Sequence, residues 1–243
     1  MRIDKYIAQT YGFSRNKVQQ FIDAGLILKN KIKISRASEK MIAEDVIEIL
    51  ENQKIHWVSR SAEKLHGFLE HHESIRAKIQ NAECLDVGAS TGGFTQILLD
   101  NGAHHIDAVD VGTLQLADIL RQNPRVTSYE NTDIREFATN KKYEIIVCDA
   151  SFISLQKILL SMKNFSQAKT IFIILFKPQF EVGKEYITKS GVPKNEKIIL
   201  AAMENFEKFL SENNFEILHK EKSVLIGEAG NQEWVYTLQN IQK

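Results

Sequence analysis

The sequence predicts an α/β protein, a mostly parallel sheet flanked by helices, preceded by a small α+β domain. Three observations predict it. From residue 83 onward, short apolar runs of strand length alternate with stretches of helical period, the pattern of a sheet covered on both faces. A glycine-rich turn, Asp86-Val87-Gly88-Ala89-Ser90-Thr91-Gly92-Gly93, joins the first run to a helical stretch, so the period switches there. Charge is uneven: the 243 residues carry 31 Lys and Arg against 31 Asp and Glu, yet the first 36 hold 8 against 2.

Taken in order, residues 1–56 read as one compact unit, 57–60 as a linker and 61–243 as the larger domain. Ile3, Tyr6 and Ile7 share a helical face, and Ser14 is placed to cap a second helix bearing Val18, Phe21 and Ile22. Gly25 ends that helix. Leu26 to Leu28 and Ile32 to Ile34 alternate around a tight turn at Lys29-Asn30-Lys31, and Val46 to Leu50 supplies another strand. Polarity then rises and periodicity lapses until Trp57. A helix through Ala62, Leu65, Phe68 and Leu69 opens the larger domain and carries Lys64. Strands are expected at 83–87, 105–109, 126–129, 144–149, 170–177, 215–220 and 234–238. Helices are expected between them at 93–100, 114–121, 155–163 and 196–213. The last two strands are near enough in sequence to pair as an antiparallel edge hairpin.

The head, residues 1–60, has 11 basic against 7 acidic residues, leaving 20 against 24 for the remainder. A basic head on a mildly acidic body suits contact with a polyanion. Its two helices, small sheet and lysine-rich turn resemble an RNA-binding module first described in a ribosomal small-subunit protein and found also in pseudouridine synthases and tyrosyl-tRNA synthetase. The resemblance makes Arg2, Lys5, Arg15, Lys17, Lys29, Lys31, Lys33 and Arg36 candidate phosphate contacts. Such contacts give salt-dependent affinity without reading bases; a merely solvated surface is the alternative.

Cys84 and Cys148 lie in or beside apolar runs without metal-like spacing and read as buried, reduced thiols. His71-His72 and His104-His105 are adjacent pairs, poorly spaced for one metal, and no metal is expected. The N-terminus lacks the apolar core of a signal peptide, and the longest apolar run, 170–176, has strand length. A cytoplasmic location without a membrane association is the expectation. Trp57 and Phe94 read as core anchors. Phe152 and Phe180 read as core packing, with stacking on a target base as the other possibility.

The turn after the first large-domain strand is not the Gly-x-Gly-x-x-Gly of dinucleotide sites, because Ser90 stands at the second glycine, and no Gly-Lys-Ser or Gly-Lys-Thr follows for a nucleoside triphosphate. Asp86-x-Gly88-x-x-x-Gly92 resembles instead the nucleoside loop of S-adenosylmethionine-dependent methyltransferases. In open sheets, ligands bind beyond the carboxyl ends of the strands. Asp86, Asp110, Asp133, Asp149 and Lys177 all fall at or just past expected strand ends. Gly88, Ser90 and Gly92 would supply close backbone and the amino-acid end of that cofactor. Asp110 is placed to accept hydrogen bonds from ribose hydroxyls, and Asp133 could meet the adenine amino group.

Base-amine methylation usually comes with an Asn/Asp-Pro-Pro-aromatic turn, where this chain has Asp149-Ala150-Ser151-Phe152. Carbon-5 methylation of cytosine needs a thiolate, and both cysteines read as core. Both classes lose weight without being excluded, and a ribose 2′-hydroxyl is a further, weak nucleophile. It must be aligned behind the methyl and lose a proton, work for a lysine set among other charges. Lys64, Asp149, Lys177 and Glu233 fit that need: Lys177 as base or hydroxyl-orienting group, Lys64 to lower its pKa, Asp149 to position it, and Glu233 to hold Lys64.

Val58-Ser59-Arg60 with Lys64-Leu65, the turn 86–95, Ala108-Val109-Asp110-Val111-Gly112, Asp149 with Ser151-Phe152-Ile153-Ser154-Leu155, Lys177-Pro178-Gln179-Phe180-Glu181 and Gly230-Asn231-Gln232-Glu233 together resemble the TlyA, or haemolysin A-like, family. The resemblance spans nearly the whole chain. It implies a Rossmann-like class I methyltransferase sheet of FtsJ-like type, a Lys-Asp-Lys-Glu tetrad on Lys64, Asp149, Lys177 and Glu233, and cytidine 2′-O-methylation in ribosomal RNA of ribosomal subunits. The chain departs where Ser61-Ala62 replaces a more usual glycine pair and where 191–195 lacks the commoner Arg-Asp ending. Its short ends resemble the shorter subtype, which implies a large-subunit target. A non-catalytic ribosome-assembly factor and, from the family's older name, a cytolysin are the rival readings; a monomer and a homodimer are equally open.

Overall fold

A computed structural model describes residues 1–11, 13, 15–50, 57–227 and 229–241, the Asn16 side chain excepted. The chain divides into two compact units, Met1–Arg60 and Ser61–Lys243; residues 57–60, read as a linker, therefore fall with the first. The cap expected at Ser14 and the polar stretch 51–56 lie outside the described residues.

In the first unit, α1 (Ile3–Tyr11) and α2 (Arg15–Asp23) cover a three-stranded antiparallel sheet of order β2-β1-β3. Its strands are β1 (Ile27–Lys29), β2 (Ile32–Lys33) and β3 (Ile47–Ile49). Ile3 and Ile7 of α1 meet Val18, Phe21 and Ile22 of α2 and Ile27 of β1 in one buried cluster, so the helical spacing read from sequence is the packing face. The hairpin turns at Asn30 and Lys31, with φ of 52° and 67°, the doubly left-handed geometry of a two-residue turn between twisted strands. Asn30 is pinned there, donating to Asp45 Oδ1 at 2.7 Å and accepting from the Val46 amide at 2.8 Å.

The second unit is built on a seven-stranded sheet of order β6-β5-β4-β7-β8-β10-β9. The first five in chain order are β4 (Glu83–Val87), β5 (His105–Val109), β6 (Val126–Tyr129), β7 (Tyr143–Cys148) and β8 (Ser166–Phe176), and all pair in parallel. β9 (Phe215–Lys222) and β10 (Trp234–Asn240) form the expected antiparallel pair at one edge, with β10 inserted between β8 and β9. Helices α3 (Ala62–His71), α4 (Glu73–Ala77), α5 (Gly93–Asp100), α6 (Asp118–Arg121), α7 (Leu159–Lys163), α8 (Pro178–Glu181) and α9 (Glu196–Glu212) flank it. Strand order reverses at β4, whose neighbours are β5 on one side and β7 on the other, and this opens a crevice at the carboxyl ends. Leu85, Ile146, Phe172, Phe176, Phe206 and Tyr236 belong to the core beneath that edge.

One expected helix is largely absent. Residues 114–121 keep helical structure only at Asp118–Arg121. Leu114 takes φ 53°, and the amides of Leu114, Gln115 and Leu116 donate to the Glu130 carboxylate at 2.7, 3.1 and 3.4 Å. A side chain from 14 to 16 positions away thus captures the donors before a helix can form. The stretch expected as one helix at 155–163 breaks at Ile158 into a 3₁₀ turn, Leu155–Lys157, and α7.

Candidate active site

The turn between β4 and α5 is shaped by what crowds it. Gly88 has φ 77°, and a Cβ there would sit 2.9 Å from the Ala150 backbone in the loop after β7. Gly92, φ 95°, would put a Cβ 2.2 Å from Leu120 Cδ1. Both positions exclude a side chain on conformation and on space. Asp110, just past β5, ties this turn to its own loop: its Oδ2 accepts from the Ser90 amide at 2.8 Å and its Oδ1 from the Gly112 amide at 2.7 Å.

A cavity of about 320 Å³ opens here, lined by Gly88, Ser90, Asp110, Asp133, Asp149 and Ser151 among others. Small-molecule sites begin near that size. Asp133 faces it with both carboxylate oxygens already engaged by the Arg135 guanidinium, at 2.6–3.1 Å, which holds the acid below its ordinary range. Asp86 and Gly92 do not line the cavity. Asp86 is fully buried within β4, one residue short of the expected strand end, with Oδ2 accepting from Thr95 Oγ1 at 2.6 Å and Oδ1 unpartnered. Burial pushes its carboxyl up to about 7, against the pull of the Thr95 hydrogen bond and with help from the Asp149 charge.

The four charged residues expected to act together converge at the rim. Lys64 comes from α3, Asp149 follows β7, Lys177 follows β8 and Glu233 precedes β10. Because β10 runs antiparallel to β8 with Trp234 opposite Phe176, its first residues return to the carboxyl edge of the sheet. Lys64 Nζ lies 2.7 Å from Glu233 Oε2 and 3.6 Å from Asp149 Oδ1; Lys177 Nζ lies 2.7 Å from that same Asp149 oxygen. Lys64, Lys177 and Glu233 are 8%, 6% and 3% exposed. Burial alone would lower the Lys64 pKa, but Asp149 and Glu233 overcome it and hold the ammonium above its ordinary value. Two cations and two anions cancel, which is how a protein tolerates charge so deeply placed.

Lys177 donates to two acceptors, the Asp149 carbonyl at 3.1 Å and Ser151 Oγ at 2.8 Å, while its approach to Asp149 Oδ1 is an ion pair without hydrogen-bond geometry. A buried clasp sets the two loops: Glu181 of α8 accepts from Ser154 Oγ at 2.6 Å and from the Leu155 amide at 2.8 Å. The sequence reading gave neither Ser151 nor Glu181 a role, although Ser154 ahead of a helical run is a capping signal. Core packing for Phe152 is corrected: it is 91% exposed, has φ 64°, and its ring leans on Phe180 at 5.2 Å. The hydrogen bonds that Ser154 and Leu155 donate to Glu181 and the tight approach at Ala150 anchor both ends of the loop after β7 and leave Phe152 between them to bulge outward. Cys84 and Cys148 are buried free thiols. Burial raises both, Cys148 to about 12, so neither is a thiolate nucleophile.

The candidate RNA contacts of the first unit divide. Lys5, Lys31, Lys33 and Arg36 are exposed. Arg2 and Arg15 converge on buried Asp4, at 3.0 and 2.8 Å, while keeping half or more of their side chains exposed. Lys29 pairs with Glu39 at 2.6 Å, and Lys17 donates to the Trp57 carbonyl. Burial lowers Lys17 to about 8. These four therefore have structural partners that the sequence did not show.

A parallel sheet closed by an antiparallel pair, with a glycine turn and a cavity at the reversal of strand order, defines a class I methyltransferase domain. The FtsJ-like methyltransferase family model matches residues 57–240, and the chain belongs to that family, within its TlyA group. It is 38% identical to the 23S rRNA (cytidine-2′-O)-methyltransferase TlyA of Campylobacter jejuni, covering 97% of this chain and 98% of that protein. It is 33% identical to the 16S/23S rRNA (cytidine-2′-O)-methyltransferase TlyA of Mycobacterium tuberculosis, over 91% of this chain and 82% of that one. Hemolysin A of Brachyspira hyodysenteriae is 34% identical, with 97% and 98% covered. A solved structure from Streptococcus thermophilus, described as a hemolysin, superposes with a TM-score of 0.76 at 30% identity, covering 100% of this chain and 89% of that one. S-adenosylmethionine is the cofactor of the family. The residues present suit it: a cavity of adequate size with the carboxylates of Asp110, Asp133 and Asp149 on its walls for a cation.

Proposed function

We propose that the protein transfers a methyl group from S-adenosylmethionine to the 2′-hydroxyl of a cytidine in large-subunit ribosomal RNA. The observation that carries this is the convergence of Lys64, Asp149, Lys177 and Glu233 beside the cavity. The relative named for 23S rRNA alone is 38% identical and the one named for both subunits 33%, which favours the large subunit.

Bound S-adenosylmethionine supplies an electrophilic methyl on a sulfonium. Gly88, Ser90, Asp110 and Asp133 would hold it in the cavity, with Asp86 beneath the turn. Asp149 fixes Lys177, and Lys177 Nζ orients the sugar hydroxyl so that an oxygen lone pair faces the donor. Glu233 and Asp149 hold Lys64, at 2.7 and 3.6 Å, and so fix the ammonium beside the Asp149 carboxylate. The oxygen–carbon bond would form as the carbon–sulfur bond breaks, with the donor leaving as a neutral thioether, and the oxygen's proton, strongly acidic by then, would pass to water. In the first unit, Lys5, Lys31, Lys33 and Arg36 are the open cations for RNA phosphates, and Phe152 offers a ring face to a base near the site.

The test is to map ribose methylation in 23S and 16S rRNA from cells with the protein, without it, and with Lys177→Ala. Loss of one cytidine mark in the deletion, unrestored by the variant, is the expected result. No lost mark sinks the reading. A lost mark that Lys177→Ala restores removes the lysine from it. A growth defect that Lys177→Ala rescues without methylation points to the non-catalytic assembly factor. Among the described residues no helix is long and apolar enough to cross a membrane.

A further inference from the structure

The Lys177 ammonium has three hydrogens to give, and three oxygens lie around it: Asp149 Oδ1 at 2.7 Å, the Asp149 carbonyl at 3.1 Å and Ser151 Oγ at 2.8 Å. These oxygens differ in kind: two accept hydrogen bonds from the lysine and the carboxylate oxygen pairs with it by charge alone. The carbonyl is fixed by the backbone where the loop leaves β7. The carboxylate oxygen is shared with Lys64, 3.6 Å away. Ser151 Oγ alone carries its own proton, belongs to an exposed residue and lines the cavity. Among the described residues its hydroxyl has no other protein partner. Lys177 itself is 6% exposed, so a hydroxyl arriving from the cavity meets the lysine where Ser151 already touches it.

We propose that Ser151 is a positioning residue for the transfer: its hydroxyl aims the Lys177 ammonium into the cavity and, through its free donor and second lone pair, aligns the substrate hydroxyl beside it. The placement is built in. Ala150 is held against Gly88, Ser154 and Leu155 are held by Glu181, and Ser151 lies on the short span between these anchors. A hydroxyl is the group needed because it accepts from the lysine and donates onward at once; alanine does neither, and a thiol is a weak substitute for both.

This inference rests on the reading of Lys177 as the group that orients the sugar hydroxyl, so Lys177→Ala is run in the same assay. Full-length Ser151→Ala, Ser151→Cys and Ser151→Thr would be compared for kcat and KM, using labelled S-adenosylmethionine and ribosomal particles from cells lacking the protein. Cofactor binding by calorimetry and thermal melting would be followed alongside. Loss of one hydrogen bond to a charged group predicts a fall in kcat of roughly ten- to hundredfold for the Ala and Cys variants. Both KM values should stay within about twofold, and Thr should recover to within about fivefold. Cys keeps the volume, so it carries the test if Ala unfolds the loop. Full activity of Ala or Cys, a loss confined to KM, or equal losses in Thr and Cys would overturn the proposal. Retained turnover in Lys177→Ala would instead overturn the underlying reading, whatever the Ser151 variants do.

Discussion

Arg15 in the first unit and Lys64 in the second are both basic side chains set against a buried carboxylate, yet their surroundings differ. Arg15 keeps 63% of its side chain exposed while it reaches Asp4, whose side chain is 4% exposed; the side chains of Lys64 and Glu233 are 10% and 4% exposed. The first arrangement leaves a cation at the surface with donors to spare. The second removes cation and anion together, at a desolvation cost that packing hydrophobic residues would avoid. Surface charge of the first kind serves encounter with a polyanion and is screened by salt. Buried, balanced charge of the second kind stands beside the cavity, where the proposed transfer would use it.

The largest effect that would break this contrast is removal of a buried partner. Glu233→Ala leaves Lys64 with Asp149 alone at 3.6 Å, and should cost about 3 kcal/mol in urea unfolding. An effect below ~1 kcal/mol would place the pair among ordinary surface bridges.

Asp86 sharpens the contrast by pH. Its carboxyl titrates near 7 in the fold and near 3.8 as a free side chain, so between those values the folded state keeps a proton that the unfolded chain has released. Stability from this group is therefore full below about pH 4 and is lost as pH rises towards 7. Asp86→Asn should gain on the wild type by about 2 kcal/mol between pH 5 and pH 8. Saturating S-adenosylmethionine should shrink that gap, since a bound cation favours the ionised acid. Parallel pH curves for the two proteins would show that Asp86 is charged throughout.

In the first unit, replacing Lys31, Lys33 and Arg36 together by Ala should weaken binding to a ribosomal RNA fragment by about tenfold, uniformly across sequences. It should also lower the salt slope by about 2 to 3. An unchanged slope would assign these charges to solvent. The smallest effect is expected at Arg15→Ala, about 0.5–1 kcal/mol, because the pair is screened on its arginine side. Burial opposes the Asp4 charge, but hydrogen bonds from Arg15 and then Arg2 outweigh it and hold the acid below its ordinary range. The stability they add is present above about pH 4 and is lost on acidification below it, so Arg15→Ala and wild type should converge in acid.

Much of the fold was legible because its strongest elements are locally determined. β4, β5 and β6 begin and end where the sequence places them, since short apolar runs bounded by turn residues have few other options once buried. β8 begins earlier than expected because Tyr143 pairs with Ser166, a partnership settled by the neighbouring strand. The helix expected at 114–121 failed for the same kind of reason: Glu130, distant in the chain, takes the amide donors. Eight basic residues of the head looked alike in sequence, and only folding distinguished Lys31 and Lys33 from Lys29, which Glu39 holds.

The sequence by itself determined the α/β class, the glycine turn and its strand and the reversed terminal pair, and it singled out Lys64, Asp149, Lys177 and Glu233 as a proposed set that the fold brings together. Residue chemistry and period are local properties, and the family resemblance is written in them. Tertiary structure decided that one Asp149 oxygen serves two lysines, that Ser151 completes the Lys177 shell, that Asp86 is sealed beneath the cavity and that Phe152 stands in solvent. Distances among four separate chain segments follow from how strands are ordered and which way they run, and no window of sequence contains that information.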